Sequence, residues 1–213
     1  MNNCLDSLDL SLLRSCRELD TLNISNNQLS NIDLSPIATH KFLSRLDISD
    51  NMLTSSLDLS DITAPLWNGI DLSGNCLDSV TLSKHIRGKI NLSKNRLTSI
   101  NLSPLSQMQT VKINLSQNEL SEIDLSPLSN RYWGIDRDLF FGNDYVHGLE
   151  GTVDRLELDL SHNLLRTIDL TPLATIPRIA YLDISDNPLD QIEKTLFSKS
   201  DNEKVAILGF SYR

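Results

Sequence analysis

One asparagine recurs along this chain in the same apolar frame, and that recurrence restricts the fold more than any other feature. Asn27, Asn51, Asn75, Asn95, Asn118, Asn163 and Asn187 each follow apolar residues five and three places earlier, and precede one two places later. In the first full block these are Leu22, Ile24 and Leu29. Asn3 opens a truncated copy. A step of 24 residues separates Asn3 from Asn27, Asn27 from Asn51 and Asn51 from Asn75; the later steps are 20, 23, 45 and 24. The long step predicts one more, degenerate repeat around Asn143, over about residues 130–151.

The two apolar residues before each asparagine alternate with polar ones, so Thr21 to Ser25 reads as a short strand with one buried face. Such a strand cannot bury that face alone, whereas stacked copies share one continuous core. The asparagine then marks a turn, and its amide is expected to bond backbone groups of neighbouring turns, forming a buried ladder. After the turn the chain reads Ile-Asp-Leu-Ser-Pro-Leu or a close variant at 32–37, 100–105, 123–128 and 168–173. Ser-Pro or Thr-Pro suits a helix start, with the hydroxyl at N-cap and proline at the first helical position. One- or two-turn helices are therefore expected on the outside of the stack, the last stopped by Pro177. The short return after Cys76, with Gly88, predicts little or no helix.

The pattern Leu19-x-x-Leu22-x-Ile24-x-x-Asn27-x-Leu29, repeated as Leu43-x-x-Leu46-x-Ile48-x-x-Asn51-x-Leu53, resembles the leucine-rich repeat family. The resemblance covers about residues 3 to 189, as eight to nine repeats. It implies an α/β solenoid, a curved right-handed horseshoe with a parallel sheet on the concave face and short helices or turns on the convex face. It also implies a non-enzymatic scaffold that binds other macromolecules, usually proteins, through the concave side.

Residues 1–190 are read as the array and 191–213 as a C-terminal cap, with a helix over Glu193 to Ser200 and a strand over Val205 to Tyr212. Solenoid ends need such cover. No cap is apparent at the N-terminal end. Either the first block is improvised cover or the array is longer, and an uncovered edge invites self-association.

Strand residues that are not buried face outward. Four before the asparagine they are always Asp or Asn, and two before always Ser: uniform ladders, read as structural and solvated. Other outward positions vary. Lys89, Lys94, Arg96 and Lys112 gather on neighbouring strands ~4.8 Å apart. They either neutralise nearby acids such as Glu119 or receive an acidic partner; a phosphate or nucleic-acid site finds too few basic and aromatic residues. Arg45 and Tyr181 join them as candidate partner-binding residues. A second candidate is the irregular segment Asn130 to Gly151, with Trp133, Phe140, Phe141 and Tyr145. These aromatics either plug a misfit repeat or anchor a partner.

The chain of 213 residues carries a net charge of −9 and a sequence pI of about 4.8, the opposite of a nucleic-acid binder's balance. No apolar run approaches the ~18–20 residues that span a membrane. The start, MNNCLDSLDLSLL, lacks a signal-peptide pattern. Cys4, Cys16 and Cys76 match neither a disulfide framework nor a zinc site, which predicts free thiols in a reducing, cytoplasmic setting. Sequons at Asn23, Asn91, Asn101 and Asn114 arise from the repeat itself. No Gly-rich phosphate loop or H-E-x-x-H motif appears. His162 and Cys76 lie ~19 Å apart if four strand spacings separate them, too far for a nucleophile and its base. Asp47 with Asp71, or Asp159 with Asp183, offers too few oxygens for a cation. The expectation is therefore no enzyme, no cofactor and no metal. The expected partner is a protein with an acidic surface, without nucleic acid or membrane, the chain being a monomer unless its N-terminal end self-associates.

Overall fold

The alternating apolar pairs form a parallel sheet. The computed structural model describes residues 3–108, 111–129, 156–176 and 179–190, with the backbone of 207–208. Ten strands are present among them: β1 (Thr21–Asn23), β2 (Arg45–Asp47), β3 (Thr54–Asp58), β4 (Gly69–Asp71), β5 (Cys76–Thr81), β6 (Ile90–Asn91), β7 (Val111–Asn114), β8 (Leu156–Asp159), β9 (Ile179–Asp183) and β10 (Ile207–Leu208). Eight of them make one sheet in the order β1-β2-β4-β6-β7-β8-β9-β10, each pair parallel. Its register places one repeat position in line: Leu22, Leu46, Ile70, Ile90, Ile113, Leu158, Leu182 and Ile207.

The core behind the sheet is a stack of leucines and isoleucines. Leu46, Ile48, Leu72, Leu92, Leu115, Leu158 and Leu160 are buried, together with the residue two past each asparagine from Leu29 to Leu165. Truncating one of these leucines to alanine typically costs ~2–5 kcal/mol. One buried stripe serves every repeat, so each strand is stable only with its neighbours in place.

Strand β7 pairs directly with β8, with Ile113 opposite Leu158, so among the described residues the sheet passes from Asn118's repeat to Asn163's. Asn143 and the degenerate repeat expected over about residues 130–151 lie outside the described residues.

The convex side also departs from expectation. The outer helices are 3₁₀ turns at Ser103–Leu105, Ser126–Leu128 and Thr171–Thr175, with one more at Ser11–Ser15. Ser or Thr is the first helical residue and makes no cap bond. Its own N–H instead donates to a carboxylate or amide oxygen two residues earlier: Asn101 for Ser103, Asp124 for Ser126 and Asp169 for Thr171. A short Asx turn satisfies that orphan donor, and the next return begins too soon for an α-helix to develop. Two returns are extended instead. β3 and β5 pair as a second, two-stranded parallel sheet, which the sequence reading did not anticipate. The return through Gly88 has no helix, as its spacing suggested.

At the N-terminal end the first block is partial cover. Leu10 is buried, the Leu5 N–H donates to Asn27, and the buried His40 ring meets the Leu13 carbonyl at 2.9 Å. Beside β1, however, a groove of about 710 Å³ remains open between Leu5, Leu8, Leu12 and Leu13 and the strand. Of the C-terminal cap, only Ile207–Leu208 is described, as the strand β10 paired parallel to β9. The helix expected at Glu193 to Ser200 lies outside the described residues.

Candidate functional site

Strands β1, β2, β4, β6, β7, β8 and β9 end in the same construction. The Asp or Asn four places before the ladder asparagine accepts both the N–H and the hydroxyl of the serine two residues on. Asp47 does so from Ser49 at 3.2 and 2.7 Å, and Asn114 from Ser116 at 2.9 and 2.7 Å. The same pair of bonds occurs at Asn23, Asp71, Asn91, Asp159 and Asp183. These uniform positions are solvated only in part: Asp47, Asp183, Ser49, Ser93, Ser116 and Ser161 are buried, Asn23 is exposed and the rest are half-buried.

The residue directly after that serine turns the chain. Asn26, Asp50, Gly74, Lys94, Gln117, His162 and Asp186, all one before the ladder asparagine, have left-handed backbones with φ between 52° and 66°. Asn, Asp and Gly tolerate this region; Lys, Gln and His hold it at a cost of ~1–2 kcal/mol. The turn aims the asparagine inward. Asn118 donates to the carbonyls of Leu115 and Ser116 in its own repeat and of Leu92 in the previous one, while accepting the Leu97 N–H at 3.0 Å. Asn51, Asn75, Asn95, Asn163 and Asn187 make the equivalent bonds. Asn27 bonds only Ile24, Ser25 and Leu5.

The variable residues stand on this frame. Arg45 is half exposed and lies 3.3 Å from Asp47. Lys112 meets Glu157 at 3.4 Å across β7 and β8. Tyr181 donates to Asp183 at 2.9 Å. Burial, then that bond, then the charges of Asp159 and Asp183 push the Tyr181 hydroxyl up to about 12. Burial pushes the Asp183 carboxyl up, but the Ser185 hydroxyl and N–H, Tyr181 and nearby His162 together hold it below its ordinary value. His162 lies 3.2 Å from Asp186. Lys89, Lys94 and Arg96 are exposed and form no ion pair with a described residue. All three belong to the repeat of β6. Trp133, Phe140, Phe141 and Tyr145 lie outside the described residues.

Two exposed aromatics escaped the sequence reading. Phe42 precedes β2 and Trp67 precedes β4, and they are 64% and 60% exposed. Each sits beside a buried leucine, Leu43 or Leu66, that already fills the core position. An aromatic adjacent to a filled core position was the available signal.

His162 and Cys76 are separated by three strand spacings through the order β4-β6-β7-β8, not four. That is ~14 Å, still far from the ~3 Å of a nucleophile and base. Among the described residues, no three His, Cys, Asp or Glu side chains gather as a metal site, and no helix is long and apolar enough to cross a membrane.

A family model described as Leucine Rich Repeat matches residues 18–39. Solved leucine-rich repeat structures resemble the stack over most of this chain. The chain has the fold of a leucine-rich repeat solenoid. The functional domain of InlJ from Listeria monocytogenes, described as including a cysteine ladder, is 26% identical with a TM-score of 0.55. That match covers 92% of this chain and 40% of the other. The leucine-rich repeat domain of APL1 is 23% identical, TM-score 0.59, over 88% of this chain and 42% of that one. The APL1B leucine-rich repeat domain is 21% identical, TM-score 0.51, over 88% and 53%. The chain thus spans well under two thirds of these leucine-rich repeat structures. No curated protein sequence matches it.

Proposed function

We propose that this leucine-rich repeat array binds a protein partner through the concave sheet face, with an acidic partner surface meeting the repeat of β6. One observation carries the reading: Lys89, Lys94 and Arg96 stand exposed on one repeat, unpaired with any described residue, in a chain of net charge −9. Unneutralised cations on a rigid sheet steer and select an opposite surface. Lys112 on the neighbouring β7, Arg45 two strands away on β2 and Tyr181 three strands away on β9 are already held by Glu157, Asp47 and Asp183, so they contribute less. The aromatic segment with Trp133, Phe140, Phe141 and Tyr145 remains a second proposed contact. Binding is by complementarity on a preformed face, with no chemical step. The free Cys4, Cys16 and Cys76 support a reducing, cytoplasmic setting.

The test is capture of partners by wild type beside a Lys94→Glu/Arg96→Glu variant, both shown folded and monomeric. A protein retained by wild type and lost by the variant is expected. Equal recovery by both would overturn the basic site.

A second reading, a stacking spacer with no concave ligand, is favoured by the open groove beside β1, where Leu22 is half-buried while its sheet partner Leu46 is fully buried. It requires end-to-end oligomers in light scattering, abolished by Leu22→Asp.

A further inference from the structure

Asn68-Gly69, at the start of β4, is the one Asn-Gly pair in the chain. Such a pair is chemically labile wherever the backbone is free to move. The glycine nitrogen, with no side chain beside it, attacks the carbonyl carbon of the asparagine side chain. The new C–N bond closes a five-membered succinimide, and the side-chain nitrogen leaves as ammonia, taking the proton that the glycine gives up. Water then opens the ring. Opening at the side-chain carbonyl leaves aspartate in an ordinary backbone. Opening at the backbone carbonyl leaves isoaspartate, whose chain runs on through the side chain.

The fold withholds both reacting groups. Leu66 to Gly69 form a tight turn, closed by the Gly69 N–H donating to the Leu66 carbonyl at 2.8 Å. The Asn68 N–H donates to the Ser44 carbonyl at 2.8 Å, and its Nδ2 to the Ser44 hydroxyl at 3.0 Å. Ser44 is buried, and its own hydroxyl proton turns to the Asp20 carbonyl at 3.3 Å, which leaves a lone pair for Asn68. The repeat of β2 thus holds Asn68 by backbone and side chain together. Gly69 is buried with φ 96°. A Cβ on it would collide with the Lys89 backbone, and one on Gly88 would collide with the Gly69 nitrogen. Asn68 itself is exposed, so water reaches the amide while the attacking nitrogen stays covered.

We propose that Asn68 is a latent deamidation site, locked while the repeat of β4 is closed and released when that repeat opens locally. For the isoaspartyl product the reaction is one-way. That product lengthens the backbone by one carbon, ~1.5 Å, between residues 68 and 69. The closed rung has no slack to absorb it, since Gly69 already lies too close to the Lys89 backbone to carry a methyl group. The aspartyl product keeps the normal backbone and asks only that Ser44 turn its hydroxyl to the new carboxylate. An opening of β4 is thus recorded as a chain that does not reclose, whatever binds the concave face.

The test incubates the full chain, folded and in urea, at one mildly alkaline pH. Digestion in acid, where the ring does not form, precedes peptide mapping by mass spectrometry. Deamidated peptides carry OH in place of NH2, and chromatography separates the aspartyl from the isoaspartyl form. The unfolded chain should deamidate at Asn68 at least about tenfold faster than the folded one, because only the open state reacts. Ser44→Ala, assayed folded, should speed the reaction severalfold by releasing the Asn68 side chain. After urea is removed, the isoaspartyl chain should lack the wild-type melting transition, whereas Asn68→Asp should refold with a midpoint close to wild type. Equal rates in the folded and unfolded chain would overturn the lock, and this comparison stands even if Ser44→Ala does not fold. A folded Ser44→Ala chain that reacts at the wild-type rate would overturn the part given to Ser44. An isoaspartyl chain that melts as wild type does would overturn the one-way step.

Discussion

Asn163 Nδ2 donates to the Leu115 carbonyl at 2.9 Å across 48 residues of sequence. The bond is the same one that Asn118 makes to Leu92 at 3.0 Å across 26. The amide ladder therefore treats the repeats of Asn118 and Asn163 as immediate neighbours. Excising residues 131–151 would shorten the step between them from 45 to 24, the commonest step in the chain. Such a variant is expected to unfold cooperatively with a melting midpoint close to wild type. Loss of the cooperative transition would show that the excised residues support the core.

Replacing Asn118 by alanine strands the Leu97 N–H in a buried place and removes one of the two donors to each of the Leu92, Leu115 and Ser116 carbonyls. Buried groups left unpaired cost ~1–3 kcal/mol, so Asn118→Ala should lower stability by that amount in a denaturant titration. Asn31→Ala, at an exposed position, serves as the control and should change little. A midpoint unaffected by Asn118→Ala would contradict the ladder's energetic role.

Gln117 holds φ 55° and has no backbone reason to prefer it. Gln117→Gly removes the left-handed penalty and adds chain entropy to the unfolded state; the net is a gain of ~0.5–1 kcal/mol. Gly69→Ala moves the other way, since its new methyl meets the Lys89 backbone. Thermal melts of the two variants should shift in opposite directions.

Asp9, Asp33 and Asp58 are held below their ordinary value near 3.8 by the N–H and then the hydroxyl of Ser11, Ser35 and Ser60. Asp124 and Asp169 are lowered by the hydroxyl and then the N–H of Ser126 and Thr171. In acid the unfolded chain binds more protons than the folded one. The stabilisation from these turns is complete above about pH 4 and is lost as pH falls further. The melting midpoint should fall with pH below that point, less steeply when Asp33 and Asp169 are both changed to Asn. An equal slope in the two proteins would remove these turns from the acid response.

Tyr181 loses its proton about two units later in the folded chain than its ordinary value of 10. The unfolded state ionises first, so this hydroxyl's contribution is intact below pH 10 and fades as pH rises toward 12. Absorbance at the tyrosinate band should show a late step that Tyr181→Phe deletes. A late step that survives the substitution would assign the shift to another tyrosine.

The sequence by itself determined the stack. Leu22, Ile24, Asn27 and Leu29 and their copies carry a phase that no isolated strand can use, so the parallel sheet, its register and the buried amides follow from spacing alone. The alternation of Asp or Asn with Ser was equally legible, though as a surface feature rather than as closed turns, because spacing alone does not say whether an outward side chain faces water or folds back on its neighbour. Tertiary structure decided the rest. Only pairing across the sheet shows that Asn118 adjoins Asn163, since a gap in a repeat does not say whether its residues stack or loop out. The engagement of Arg45, Lys112 and Tyr181, and the lack of an ion pair from Lys89, Lys94 and Arg96 to any described residue, depend on ion pairs and bonds of a few ångströms that spacing cannot rank. Glycine is required at position 69 because the Lys89 backbone comes too close for a side chain, a contact made between two repeats and written in neither.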